Sequence, residues 1–295
     1  MATDAETLHF EIEDDDHRRT DWWAEVRGIF WLVIAVLGFH SLIAKPFYIP
    51  SESMMPGLLI GDRLVVTKYP YGYSFVTPTF HLLPFMPGRV LGRLPARGDV
   101  VIVTPPGTET DYIKRVIGLP GDRIRVSAGI VYINDVAVPR EPLGFRMFPV
   151  DANTRCGLDT KPGEANPYPG ALVIGGNGKQ YCRLPIYRET LPNGVSYDTI
   201  DLGVGMSTGD NYPERYVPKG TVFLMGDNRD HSADSRYPKI QEGLGGPVPW
   251  ENIGGRAEFI TFSLDGSAGW NPASWFRSFR SGRAGASLHP EQAPK

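Results

Sequence analysis

Residues 29–44 read IFWLVIAVLGFHSLIA, with His40 and Ser41 as the only polar members. The run is apolar on every side, not along the single stripe that a helix lying on a soluble core presents. As a helix it spans about 24 Å, slightly short of a bilayer's hydrocarbon thickness, and Gly28, Pro46 and Phe47 can extend it. Trp22, Trp23 and Trp31 suit an interfacial belt. The leader before the run is long and acidic, with Glu11, Glu13, Asp14, Asp15 and Asp16 close together, and no A-x-A precedes a cut site. A cleaved leader is therefore disfavoured, and residues 28–45 are expected to be an uncleaved transmembrane anchor. Arg18, Arg19 and Arg27 lie before it and only Lys45 just after it. The positive-inside rule then places residues 1–27 in the cytoplasm and the rest of the chain outside.

Beyond the anchor the pattern shortens to strands. Alternating, β-branched or aromatic runs at 62–66, 99–103, 130–133, 222–225 and 258–262 are bounded by turn signals at 97–99, 120–122, 134–135 and 226–228. No amphipathic helix of three turns interrupts them. The expected fold class is mostly β, an exported all-β domain behind one N-terminal transmembrane helix. Residues 46–122 and 223–263 are expected to form a catalytic core. Residues 123–222, much of them rich in Pro, Gly, Asn and Tyr, read as an irregular β insertion or second lobe. In the tail, 264–295, Trp270, Trp275, Phe276 and Phe279 alternate with Arg277, Arg280 and Arg283. That mixture fits either contact with a membrane surface or a loosely packed terminus.

Composition narrows the chemistry. The chain is 41% hydrophobic and 21% charged, which suits a globular domain and not a multi-span membrane protein. A net charge of −3 gives nucleic-acid binding no support. The two cysteines, Cys156 and Cys182, either stay as separate buried thiols or pair in the oxidising compartment that export would supply. Of six histidines, only His81 and His231 could serve an exported site. A Ser-His-Asp triad is thinly supplied, a His-based metal site more so, and neither a metal nor a cofactor is expected.

Hydrolysis without histidine needs another base, and a lysine serves if burial keeps its amine neutral. Lys114 stands in the apolar run Tyr112-Ile113-Lys114-Arg115-Val116-Ile117. On that segment alone, a lysine on a strand edge with its stem buried and its head in solvent is the better reading. The nucleophile candidates are Ser51 and Ser53 in Pro50-Ser51-Glu52-Ser53-Met54-Met55-Pro56; two apart, they would share one side of an extended strand. The third segment, 226–237, is dense in hydrogen-bonding side chains suited to orienting a base.

Together, in this order and behind an anchor, these segments resemble the bacterial type I signal peptidases, or leader peptidases. The serine box is Pro50 to Pro56. The lysine box runs Tyr112-Ile113-Lys114-Arg115-Val116-Ile117-Gly118-Leu119-Pro120-Gly121-Asp122, and the last box runs Gly226-Asp227-Asn228-Arg229-Asp230-His231-Ser232-Ala233-Asp234-Ser235-Arg236. Arg97-Gly98-Asp99-Val100-Val101 matches a further box. The resemblance implies a Ser/Lys serine protease that removes signal peptides from exported preproteins at the outer face of the bacterial inner membrane. Ser53 matches the nucleophile and Lys114 the general base. Ser51 matches the hydroxyl that completes an oxyanion hole with the Ser53 N–H, and Ser232 the serine bonded to the lysine amine. Asp234 and Arg236 match a supporting ion pair. Phe47, Ile49, Met54, Leu58, Tyr112 and Ile113 match pocket positions for small substrate residues. Glu52 departs from the pattern, standing where some members have glycine, and Gly57 stands where threonine is frequent. A tethered β domain that binds exported peptides without cleaving them is the alternative.

Overall fold

The computed structural model describes residues 21–78, 86–161 and 165–292. The acidic leader, Arg18, Arg19 and His81 fall outside them. Helix α1 spans Trp22–Leu42. Asp21 caps it, its carboxylate accepting from the backbone N–H groups of Trp23 and Ala24 at 3.1 and 3.3 Å. Twenty-one residues give a length of about 31 Å, matching a bilayer's hydrocarbon layer. None of them is buried, and the helix is long and apolar enough to cross a membrane. It begins earlier and ends sooner than the apolar run implies. The cap at Asp21 sets its start, and Ala44 and Lys45 already belong to a strand.

Residues 39–295 form one compact unit. Its central sheet is antiparallel, with strand order β1 (Ala44–Tyr48), β2 (Asp62–Thr67), β15 (Ile253–Ser263), β3 (Val100–Val103), β4 (Tyr112–Gly118), β13 (Thr221–Met225) and β14 (Val248–Pro249). All four residues of β3 are buried, as expected of a strand covered on both faces. The register sets Val101 opposite Lys114 and Leu224 opposite Val116. The lysine-bearing strand is thus interior to the sheet, not at its edge.

The insertion builds two further sheets. In one, β12 (Tyr212–Tyr216), β5 (Arg123–Ser127), β6 (Ile130–Ile133) and β7 (Val136–Ala137) are neighbours in that order. In the other, β11 (Val195–Ile200) and β10 (Gln180–Thr190) lie between β8 (Arg140–Pro149) and the tail strand β16 (Glu291–Gln292), with β9 (Leu172–Ile174) also on β10. These sheets do not close a core of their own. Ile124, Val126, Val195 and Tyr197 pack with Ile117 of β4 and with Phe223 and Met225 of β13.

The tail is not loosely packed. After helix α2 (Pro272–Ser278), Arg280 pairs with Asp151 at 2.7 Å and Arg283 pairs with the fully buried Asp62. Two of the arginines expected at a membrane surface are therefore turned into the fold. Trp270, Trp275 and Phe276 remain exposed.

Candidate active site

Ser53 and Lys114, 61 residues apart, meet where the connection between β1 and β2 reaches β4. Ser53 sits in a single 3₁₀ turn, Glu52–Met54, and only Ser51 before it is extended, with φ −136° and ψ 160°. The two serines do not share a strand, yet the turn leaves their hydroxyls 3.2 Å apart. Lys114 Nζ lies 3.0 Å from Ser53 Oγ and donates to the Ile113 carbonyl at 2.9 Å. Lys114 is 2% exposed and Ser53 6%.

Burial disfavours the ammonium and holds the Lys114 pKa down at about 8; nearby Asp234 and Asp227 oppose the shift, and Arg236 adds to it. These two carboxylates are themselves engaged. Asp234 accepts from Arg236 Nη2 at 2.8 Å and from the Gly226 N–H at 3.0 Å. Asp227 takes a two-pronged contact from Arg115, at 2.7 and 2.6 Å. Such forked pairs fix the geometry of both partners.

Ser232 departs from its implied role. Its buried hydroxyl makes no hydrogen bond among the described residues, and the lysine amine is satisfied by Ser53 and the Ile113 carbonyl instead. The hydroxyl stands against Gly226, where an added Cβ would fall 2.1 Å from Ser232 Oγ and 2.4 Å from the Ser53 carbonyl oxygen.

Five of the six apolar positions come together. Phe47, Ile49, Met54, Leu58 and Ile113 pack in one cluster with Leu64 and Val100, against the turn that holds Ser53. Tyr112 packs elsewhere, with Tyr71, Leu119 and Trp250, because neighbouring strand residues point to opposite faces. Its ring lies 5.5 Å from Lys114 Nζ. Cys156 and Cys182 are disulfide-bonded within a third cluster that also holds Met55, Leu59 and Tyr168.

Two contributors were not among the candidate residues. The Asn228 N–H donates to the Ser53 carbonyl at 3.1 Å, and its Nδ2 to the Glu52 carbonyl at 3.2 Å. Tyr168, from the Pro- and Gly-rich insertion, reaches the Glu52 carboxylate. Asn228 lies inside the segment 226–236 and carried a sequence signal; Tyr168 carried none.

The chain is similar to known proteins over most of its length. A family model described as signal peptidase, peptidase S26, matches residues 22–262. The signal peptidase I of Rickettsia typhi is 36% identical over 246 residues, covering 81% of this chain and 80% of its own. That of Rickettsia prowazekii is 36% identical over 244 residues, with coverages of 80% and 79%. That of Rickettsia bellii is 34% identical over 246 residues, with 81% and 73%. A solved signal peptidase I from Enterococcus faecalis is 19% identical and overlaps 56% of this chain and 97% of its own, but its TM-score of 0.27 adds nothing to the assignment. With a family match across most of its length, and relatives above 30% identity over four fifths of it, the chain belongs to the peptidase S26 family of signal peptidases, serine endopeptidases that remove signal peptides from preproteins.

Proposed function

We propose that this chain cleaves exported preproteins through a Ser53/Lys114 dyad on the outer face of a bacterial inner membrane, with its N-terminus in the cytoplasm. The observation that carries the dyad is the 3.0 Å approach of Lys114 Nζ to Ser53 Oγ in a buried setting. With a pKa of about 8, about one amine in ten is neutral at pH 7, against about one in 3,000 for an ordinary lysine. The neutral amine takes the Ser53 proton while Oγ attacks the scissile carbonyl. The resulting oxyanion is held by the Ser51 hydroxyl and the Ser53 N–H. The ammonium then returns the proton to the leaving amine, and an acyl-enzyme remains. Water, deprotonated by the same amine, releases the new signal-peptide carboxylate and regenerates Ser53.

The Asp234–Arg236 pair supports Lys114 by keeping a full negative charge from lying free beside it. The apolar cluster of Phe47, Ile49, Met54, Leu58 and Ile113 provides the surface for small residues before the cut, with Tyr112 beside the lysine. Exposed Trp270, Trp275 and Phe276 support contact of the tail with the bilayer, a role from which Arg280 and Arg283 are withdrawn.

The test is cleavage of a preprotein in detergent. Ser53→Ala and Lys114→Met are each expected to lower turnover by at least about a thousandfold while the circular dichroism stays that of the parent. Chelator is expected to leave the parent's rate unchanged. Cleavage at the parental rate by either variant would overturn the dyad.

A further inference from the structure

The nucleophile turn has little to hold it in place by itself. It is one 3₁₀ turn, closed by the Met55 N–H to Glu52 carbonyl bond at 3.0 Å, and no side chain caps its N-terminus. Its position must be imposed from outside. Asn228 supplies two such contacts, its N–H and its side-chain Nδ2 donating to the turn's backbone carbonyls, and a further one comes from the insertion. Tyr168 is 2% exposed, and its hydroxyl donates to Glu52 Oε2 at 2.6 Å while accepting from Asn228 Nδ2 at 2.9 Å. The Tyr168 ring packs among Met55, Leu59, Cys156 and Cys182, so it grips the turn from both sides of Ser53.

The loop that carries Tyr168 is itself anchored. The Cys156–Cys182 disulfide ties it to β10. The Asn166 side chain accepts from the Tyr168 N–H at 2.7 Å. The His231 ring lies 4.6 Å from that of Tyr168, and its Nε2 is 2.8 Å from the Pro167 carbonyl. His231 therefore faces the insertion loop and makes no hydrogen bond to Ser53 or Lys114 among the described residues.

We infer that Tyr168 is a positioning residue for the nucleophile: through its hydroxyl bond to the Glu52 carboxylate, the insertion holds Ser53 Oγ at bonding distance from Lys114 Nζ. The inference rests on the Ser53/Lys114 reading. The position between the two serines then acts as a handle. A carboxylate there gives the insertion a charged acceptor, and bonds to charged groups are stronger than neutral ones. Burial pushes the Glu52 carboxyl up, and the Tyr168 bond and the nearby His231 pull it back while Asp159 adds to the rise. The tyrosine thus favours the charged form to which it bonds.

The experiment compares Tyr168→Phe, Glu52→Ala and the double variant in full-length protein in detergent, with Ser53→Ala alongside. Tyr168→Phe keeps the ring and its packing. A misplacement of 1 Å at a reacting centre can cost about a hundredfold, and a looser turn that still samples the right place should cost about tenfold. Tyr168→Phe is therefore expected to lower kcat about tenfold, with KM within about twofold and the unfolding midpoint close to the parent's. Because both residues act through one bond, the double variant should lose no more than the worse single variant. Parental kcat in Tyr168→Phe, multiplicative losses in the double variant, or a kcat loss matched by a fall in unfolding midpoint would each overturn the role of Tyr168. If those results came with an inactive Ser53→Ala, the dyad would stand and only the positioning role would fall. An active Ser53→Ala would sink both.

Discussion

An ordinary lysine amine carries its proton at any pH near neutrality. Lys114 differs because the fold removes water from around it. One residue on, the likewise buried Arg115 keeps its charge, since Asp227 contacts it at two nitrogens. Among the described residues Lys114 has no carboxylate within bonding distance; its contacts are a hydroxyl and a carbonyl. A pH prediction follows. In the proposed mechanism the base works as the neutral amine; the Lys114 pKa is lowered to about 8, and the protonated form accumulates as pH falls below that value. kcat/KM should therefore rise about tenfold per pH unit up to about pH 8 and then level off. A titration of initial rates from pH 5 to 9.5 checks this. A midpoint near 6.5 would point to histidine and count against Lys114.

At the scale of elements, the site depends on how closely the loop after β13 approaches the nucleophile turn. Gly226 has no room for a side chain on the side facing Ser53 and Ser232. Gly226→Ala must push the turn or the loop away, and overpacking of this kind costs about 1–3 kcal/mol. Turnover should fall more steeply than stability, because the displaced atoms include the Ser53 carbonyl. Denaturant midpoints and rates measured on the same preparation would test it, and parental values in both would show that the loop can retreat freely. Helix α1 shows the opposite dependence: none of its residues is buried, and its apolar run and the cap at Asp21 define it up to the strand that ends it.

At the scale of the molecule, the insertion is welded to the core by charge as well as by apolar packing. Arg229, in the loop after β13, forks onto Glu189 of β10 with both side chains nearly inaccessible, and it also reaches the Tyr197 hydroxyl at 3.2 Å. Arg115, beside Lys114, lies 4.3 Å from the Tyr197 ring. Removing one partner of a buried pair leaves the other charge stranded, so Arg229→Met should destabilise the protein by about 3–5 kcal/mol. The double variant Arg229→Met/Glu189→Met should recover most of that loss, since two apolar residues can replace a buried pair at little cost. Urea unfolding of the three proteins decides the matter; no recovery in the double variant would mean that the pair's geometry, and not its charge balance, holds the insertion.

What the sequence determined by itself was local. The uniform apolar run marked α1, although not its boundaries, because the cap and the first sheet pairing set those. Alternation and turn residues marked β2, β3, β6, β13 and the later part of β15. The residue types and order of the boxes pointed to Ser53 and Lys114. Tertiary structure alone decided that β4 lies inside the sheet, which buries the Lys114 amine and lowers its pKa; the lysine's own segment fitted an exposed edge better. It also decided that Ser232 leaves the amine to Ser53 and the Ile113 carbonyl, that Tyr112 and Ile113 face different clusters, and that two tail arginines turn inward to Asp62 and Asp151. Tyr168 shows why these were not legible: it stands 116 positions from Glu52. Contacts across such separations follow from which sheets pack together, and no short window of sequence contains that information.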